Sequence, residues 1–173
     1  MKDEHNAVRD YTGSTFEPIN EFLRGISDLE EASKKFDNGK IEYKSDMKSA
    51  IKQMDRAISQ YNLKEPIVVT RGCSHELFRA LKAGDEFVDN GYGSSSVLSS
   101  QAFESDVKFT ITVPKGKGVG AYVRNISHFG QEYEFLLARG ARYHVNKTYT
   151  DEYGIKNIDA TIVGFDRRHR KIT

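Results

Sequence analysis

Apolar positions recur along this chain with two periods, first helical and then extended. Phe16, Ile19, Phe22 and Leu23 fall at helical spacing, the stripe by which an amphipathic helix meets a core. Ser14-Thr-Phe-Glu17 fits a capping box, in which hydroxyl and carboxylate satisfy the first free amides. Pro18 falls in the first turn, where its missing N–H is tolerated. Ser27-Asp-Leu-Glu30 repeats the capping pattern and predicts a second helix, with Asn38-Gly39 as its stop. A third helix is predicted from near Ser45, burying Met47, Ile51, Met54, Ile58 and Tyr61.

After Pro66 the pattern changes. Ile67-Val-Val-Thr-Arg71 reads as a buried strand, and Ser74 as the cap of a short helix carrying Leu77, Phe78 and Leu81. Val107, Phe109, Ile111 and Val113 alternate with Lys108, Thr110 and Thr112, which predicts a half-buried strand ended by Pro114. Residues 132–138, 141–148 and 158–165 predict three more strands, with Gly140 at a turn. Helices followed by strands predict an α+β fold rather than a doubly wound sheet. With no internal repeat and no linker, residues 1–173 read as one domain.

Composition narrows the chemistry. The 26 Lys plus Arg nearly cancel 25 Asp plus Glu, so no general attraction to nucleic acid or anionic lipid is expected. The single Cys73 excludes a disulfide framework. His5, His75, His128, His144 and His169 show no metal-ligand spacing, so no metal is expected. The sequence shows neither a signal-peptide pattern nor a membrane-length apolar run, which predicts a soluble domain acting without a membrane, in a reducing compartment. Gly116-Lys-Gly-Val-Gly120 lacks the ending of a phosphate loop and reads as a mobile loop. Gly91-Tyr-Gly-Ser-Ser-Ser96 lacks the closing glycine of a nucleophile elbow. Arg167-Arg-His-Arg-Lys171 reads as a solvated tail.

Four features carry candidate chemistry. Arg71 ends an apolar strand, where a guanidinium is either held for a phosphate or carboxylate or simply extends to solvent. On a strand, Ser94 and Ser96 share one face and could orient a carboxylate. Glu132 and Glu134 likewise share a face with Leu136, and two adjacent carboxylates can be driven into different roles. Phe16 and Asn20 lie one helical turn apart, close to Tyr11.

Tyr11-x4-Phe16-x3-Asn20, Val69-Thr-Arg71-Gly, Gly91-Tyr-Gly-Ser-Ser-Ser96 and Phe129-Gly-Gln-Glu-Tyr-Glu134 follow one another in order, within a likeness that covers about residues 9–146. The set resembles the Arg–Ser–Glu class of mono-ADP-ribosyltransferases, which includes the enzymatic components of clostridial binary toxins and related exoenzyme and phage-encoded domains. The resemblance implies a split β-sandwich with an N-terminal helical layer and NAD, as co-substrate, in a cleft between the sheets. Arg71 would then grip the NAD diphosphate, and Ser94 would hold the catalytic Glu134. Glu134 would bond the nicotinamide-ribose 2′-hydroxyl and stabilise the oxocarbenium-like centre left as nicotinamide departs. Tyr11 and Phe16 would pack near the nicotinamide and its ribose, and Asn20 would bond a phosphate or ribose oxygen. Gly72 and Phe109 also fall among the implied NAD-binding positions.

A glutamate at position 132 goes with arginine acceptors in that class, and Phe129 would be the aromatic of the turn that touches the target protein. The resemblance therefore implies a monomeric enzyme acting on a protein arginine in the cytoplasm of a target or host cell. It leaves NAD glycohydrolysis, with water as acceptor, and an inert adaptor or virion domain as alternatives. The chain also departs from the binary toxins: Gly72 stands where they carry a second arginine, and Lys115 or Lys117 could supply that cation.

Overall fold

The structure of the chain, a computed structural model, describes residues 16–25, 44–73, 76–97, 106–122 and 134–166. Helix α1 (Phe16–Leu23) and helix α2 (Lys44–Gln60) carry the two N-terminal stripes. In α2, Met47, Ile51, Met54 and Ile58 are each at most 2% exposed, while Tyr61 falls just past the helix end. The predicted second helix and the basic segment 167–171 lie outside the described residues. Helix α3 (Glu76–Arg79) is the short helix after the first long strand.

The described residues form ten strands, in chain order β1 (Asn62–Leu63), β2 (Ile67–Cys73), β3 (Glu86–Asp89), β4 (Gly93–Ser96), β5 (Val107–Val113), β6 (Gly116–Lys117), β7 (Gly120–Tyr122), β8 (Glu134–Leu137), β9 (Ala141–Thr150) and β10 (Lys156–Phe165). β5 alternates buried and half-buried positions along its whole length, as its sequence predicts. The stretch from Gly116 to Gly120, expected to be a mobile loop, instead contributes β6 and the start of β7. β6 pairs with β1, which gives the glycine-rich backbone a ladder partner.

The remaining eight strands run in the order β3-β9-β10-β5-β2-β4-β8-β7. All neighbours are antiparallel except β10 and β5. The join between β2 and β4 is a single register pair, Thr70↔Ser96, supported by Thr70 Oγ1 donating to the Ser96 carbonyl at 3.3 Å. The sheet is thus split there into a five-stranded part and the three strands β4, β8 and β7.

The core shows how the parts stack. Phe135 and Leu137 pack with Val69, Ile111, Tyr143 and Ile158 of the larger part. Leu136 points the other way, into a cluster with Ile19, Met47, Met54 and Tyr92. β8 therefore lies between the helical layer and the larger sheet part, the architecture of a split sandwich with an N-terminal helical layer. Burying a side chain of this size stabilises the fold by about 1.5–3 kcal/mol, so a strand covered on both faces is a rigid platform for the residue at its start. That residue is Glu134.

Candidate functional site

Register decides which side chains meet on β4 and β8. Ser94 lies opposite Leu136 and Ser96 opposite Glu134, so alternation puts Ser94, Ser96, Glu134 and Leu136 on one face. The Ser94 side chain, diagonal to Glu134, hydrogen-bonds its carboxylate. Ser94 is exposed, whereas Ser95 points to the other face and donates to the Phe135 carbonyl at 2.7 Å. Burial pushes the Glu134 carboxyl above the usual carboxylate range, and the Ser94 hydrogen bond works against that rise. A half-buried carboxylate with an accessible hydroxyl beside it suits stabilisation of a nearby positive charge.

A cluster of charge adjoins β4. Asp89, at the end of β3 and 8% exposed, accepts from Arg24 Nε at 2.9 Å, Arg24 Nη2 at 3.2 Å and Arg71 Nη1 at 3.0 Å. The Gly91 amide also donates to it, at 3.0 Å. Burial alone would raise the Asp89 pKa, but the two guanidinium groups and these hydrogen bonds outweigh it and hold the carboxyl below its ordinary value. Burial likewise opposes the charged form of Arg71, and the Cys73 and Asp89 groups beside it more than offset that, so its pKa is raised. Two cations and one anion leave a net charge of +1, the sign that receives a phosphate or carboxylate.

The two glycines of Gly91-Tyr-Gly93 have a steric role here. A Cβ on Gly91 would come within 2.6 Å of Arg24 Nε, and one on Gly93 within 3.3 Å of Arg71 Nη1. Their absence lets both guanidinium groups lie against the start of β4. Arg24 and Asp89 were not singled out from sequence. The available signal for Arg24 was its i+4 spacing from Asn20, on the same helical face.

The other sequence candidates fall into three groups. Tyr11, Phe129 and Glu132 lie outside the described residues, and Phe16 is placed only as the first residue of α1. Asn20 is buried against β4: its Oδ1 accepts from the Tyr92 amide at 2.9 Å, and its Nδ2 donates to the Tyr92 carbonyl at 3.4 Å. The amide expected to meet a ligand oxygen thus fastens α1 to the residue just before β4. Phe109, expected among the NAD-binding positions, is 3% exposed and edge-on to Phe78 at 5.1 Å, so it packs in the core. It lies opposite Arg71 across the β2–β5 pair, and Gly72 lies opposite Lys108.

Lys115 and Lys117 are exposed at β6, which pairs with β1 rather than with the strands of the site. The second cation beside Arg71 is Arg24. A concavity of about 340 Å³ opens elsewhere, lined by Asp55, Ser59, Gly118 and Arg139 among others. None of Arg71, Ser94 and Glu134 lines it, so its size does not make it the site of this chemistry. Among the described residues, no helix is long and apolar enough to cross a membrane.

Known proteins place this geometry in a family. The chain is 29% identical over 153 residues to the NAD(+)–arginine ADP-ribosyltransferase EFV of Enterococcus faecalis, a match covering 83% of this chain. It spans only 28% of that protein's length. Among solved structures, C3larvin toxin, an ADP-ribosyltransferase from Paenibacillus larvae, superposes with a TM-score of 0.67 at 28% identity, covering 93% of this chain and 95% of that one. C3stau2 from S. aureus, solved with NAD, shares the fold with a TM-score of 0.74 at 19% identity, covering 94% and 87% of the two chains. The sequence pattern of the ADP-ribosyltransferase exoenzyme family matches residues 1–164, and the chain belongs to that family.

Proposed function

We propose that this chain transfers ADP-ribose from NAD to an arginine side chain of a target protein, through the site formed by Arg71, Ser94 and Glu134. The observation that carries the reading is the Ser94–Glu134 pair at the start of a strand covered on both faces, beside a half-buried cluster of net positive charge. The family and the arginine-directed relative support it. The NAD diphosphate, with two negative charges, suits the guanidinium groups of Arg71 and Arg24, which Asp89 gathers at one place.

In this mechanism the bond between ribose C1′ and the nicotinamide nitrogen breaks, and its electron pair leaves with nicotinamide. Positive charge develops at C1′ and the ring oxygen. Glu134, ionised and hydrogen-bonded to the ribose 2′-hydroxyl, stabilises that charge as it forms. A guanidinium nitrogen of the acceptor then bonds to C1′, and Glu132 receives the proton that the nitrogen loses. Residues 1–173 act as one catalytic domain, and Phe129 touches the target beside its arginine. Neither metal nor thiol takes part in this scheme.

The reading is tested by incubating the chain with radiolabelled NAD and lysates of candidate target cells. Label on protein that neutral hydroxylamine removes is the expected result; release of free ADP-ribose alone would establish a glycohydrolase instead. Arg71→Lys tests the diphosphate contact separately. A point charge in place of the planar fork is expected to raise KM for NAD about tenfold, with a smaller change in kcat. An unchanged KM would remove Arg71 from NAD binding.

A further inference from the structure

Behind the Ser94–Glu134 pair, two side chains that the mechanism leaves unused, Tyr92 and Arg139, converge on the carboxylate of Asp55. Asp55, on α2, lies 2.6 Å from the hydroxyl of Tyr92 through its Oδ1. Both of its oxygens accept from Arg139 Nε at 3.0 Å, and Oδ2 also accepts from Arg139 Nη2 at 2.6 Å. Tyr92 is fully buried and the Arg139 side chain is 1% exposed. Asp55 itself is 31% exposed, so the pair is buried on the arginine side only. An ion pair that takes a charge out of water contributes little to stability compared with an apolar replacement, and its best-attested use is to specify one arrangement over another.

An arrangement in need of specification lies next to it. β4 reads Gly-Ser-Ser-Ser and pairs with β8 over four positions only, from Gly93↔Leu137 to Ser96↔Glu134. Small polar side chains specify register weakly, and a slip of one residue carries every side chain to the opposite face. Such a slip would turn Ser94 away from Glu134. Tyr92 stands immediately before the first pair of this ladder, and Arg139 stands two residues past its β8 end. One carboxylate therefore ties the start of β4 and the end of β8 to the same point on α2, at the end of the ladder remote from Glu134.

We infer that Asp55 is a positioning residue that locks β4 and β8 in the register that brings Ser94 to Glu134. The inference rests on the proposed role of those two residues in NAD cleavage. Asp55 touches no substrate in this scheme; it acts through Tyr92 and Arg139.

The test measures NAD hydrolysis by Asp55→Asn and Tyr92→Phe, with kcat, KM and the pH profile determined below the melting temperature of each variant. Tyr92→Phe keeps the Asp55–Arg139 pair, so it carries the test if Asp55→Asn does not fold. Asp55→Asn is expected to lower kcat about tenfold, and Tyr92→Phe to lower it in the same direction, while KM for NAD changes by less than about twofold. The acid limb of kcat/KM should move to higher pH, because Glu134 in the free enzyme loses the Ser94 hydrogen bond that opposes the effect of burial. A general loss of stability would not move that limb. In a Ser94→Ala background, adding Tyr92→Phe should cause no further shift, since the contact it protects is already absent. Parental kcat and acid limb in Tyr92→Phe, or full additivity with Ser94→Ala, would overturn the inference. Glu134→Gln serves as the control: if it still cleaves NAD, the proposed site itself fails, whereas an inactive Glu134→Gln beside unaffected Tyr92→Phe removes only the lock.

Discussion

Glu134→Gln is expected to abolish nicotinamide release from NAD while leaving the protein at least as stable as the parent. The amide keeps the shape of the side chain and a partner for Ser94, but it loses the negative charge. Removing one preorganised electrostatic contact to a transition state slows catalysis on the order of a hundred- to a thousandfold, and in the proposed mechanism Glu134 is the group that faces the developing charge. The stability half follows from linkage. Burial raises the Glu134 pKa in the folded chain, so between its ordinary value and the raised one the unfolded chain binds fewer protons. Stability therefore falls as pH rises through that window, and above it the ionised carboxylate is a fixed penalty. Gln carries no such penalty, so the melting temperature at pH 7 should stay level or rise. In the parent, the acid limb of kcat/KM, which reports the free enzyme, should lie above the usual carboxylate range. Nicotinamide release followed by chromatography, with thermal melts alongside, checks both halves. Release within tenfold of the parent would remove Glu134 from the chemistry, and a large fall in melting temperature would make it a structural residue.

Much of this site was legible in sequence because its residues sit on regular elements. A run such as Val107 to Val113 has one periodicity and one solution, and the stripe of α2 is equally unambiguous. The alternation that put Ser94 with Ser96, and Glu134 with Leu136, is a property of any strand. What alternation within one strand does not contain is the pairing between strands. That Ser94 meets Glu134 depends on β4 lying against β8 in one register, a non-local fact. Asp89 and Arg24 were missed for the same reason: they are 65 residues apart in sequence and meet only because α1 packs on the β3–β4 connection. Lys115 and Lys117 were nearer in type to the missing cation, but pairing of β6 with β1 carries them elsewhere. Asn20 and Phe109 show the converse. Each matched a motif position, yet in this structure each is engaged in holding the frame of the site, Asn20 on the Tyr92 backbone and Phe109 in the core beneath Arg71.

Glu132→Ala is expected to separate the two halves of the reaction, removing transfer to protein while leaving cleavage of NAD. In the proposed mechanism, formation of the C1′ cation depends on Glu134 and on departure of nicotinamide, and neither requires the acceptor. Bond formation to the acceptor is different. A free guanidinium keeps its proton at any physiological pH, so nitrogen becomes a nucleophile only if a base takes that proton as the bond to C1′ forms. In sequence Glu132 stands two residues before Glu134, the spacing that strand alternation puts on one face. A carboxylate there can orient a guanidinium through two hydrogen bonds and receive its proton. Loss of such a base slows a step by about a hundred- to ten-thousandfold, whereas water still reaches the C1′ cation. The variant should therefore release nicotinamide and free ADP-ribose, yet label neither protein nor a small guanidino acceptor such as agmatine. Glu132→Gln should behave similarly, because an amide can orient the acceptor but does not take the proton. Equal transfer by Glu132→Ala and the parent would refute the role given to Glu132. Loss of nicotinamide release together with transfer would show instead that Glu132 supports Glu134, and that the two carboxylates act as one group.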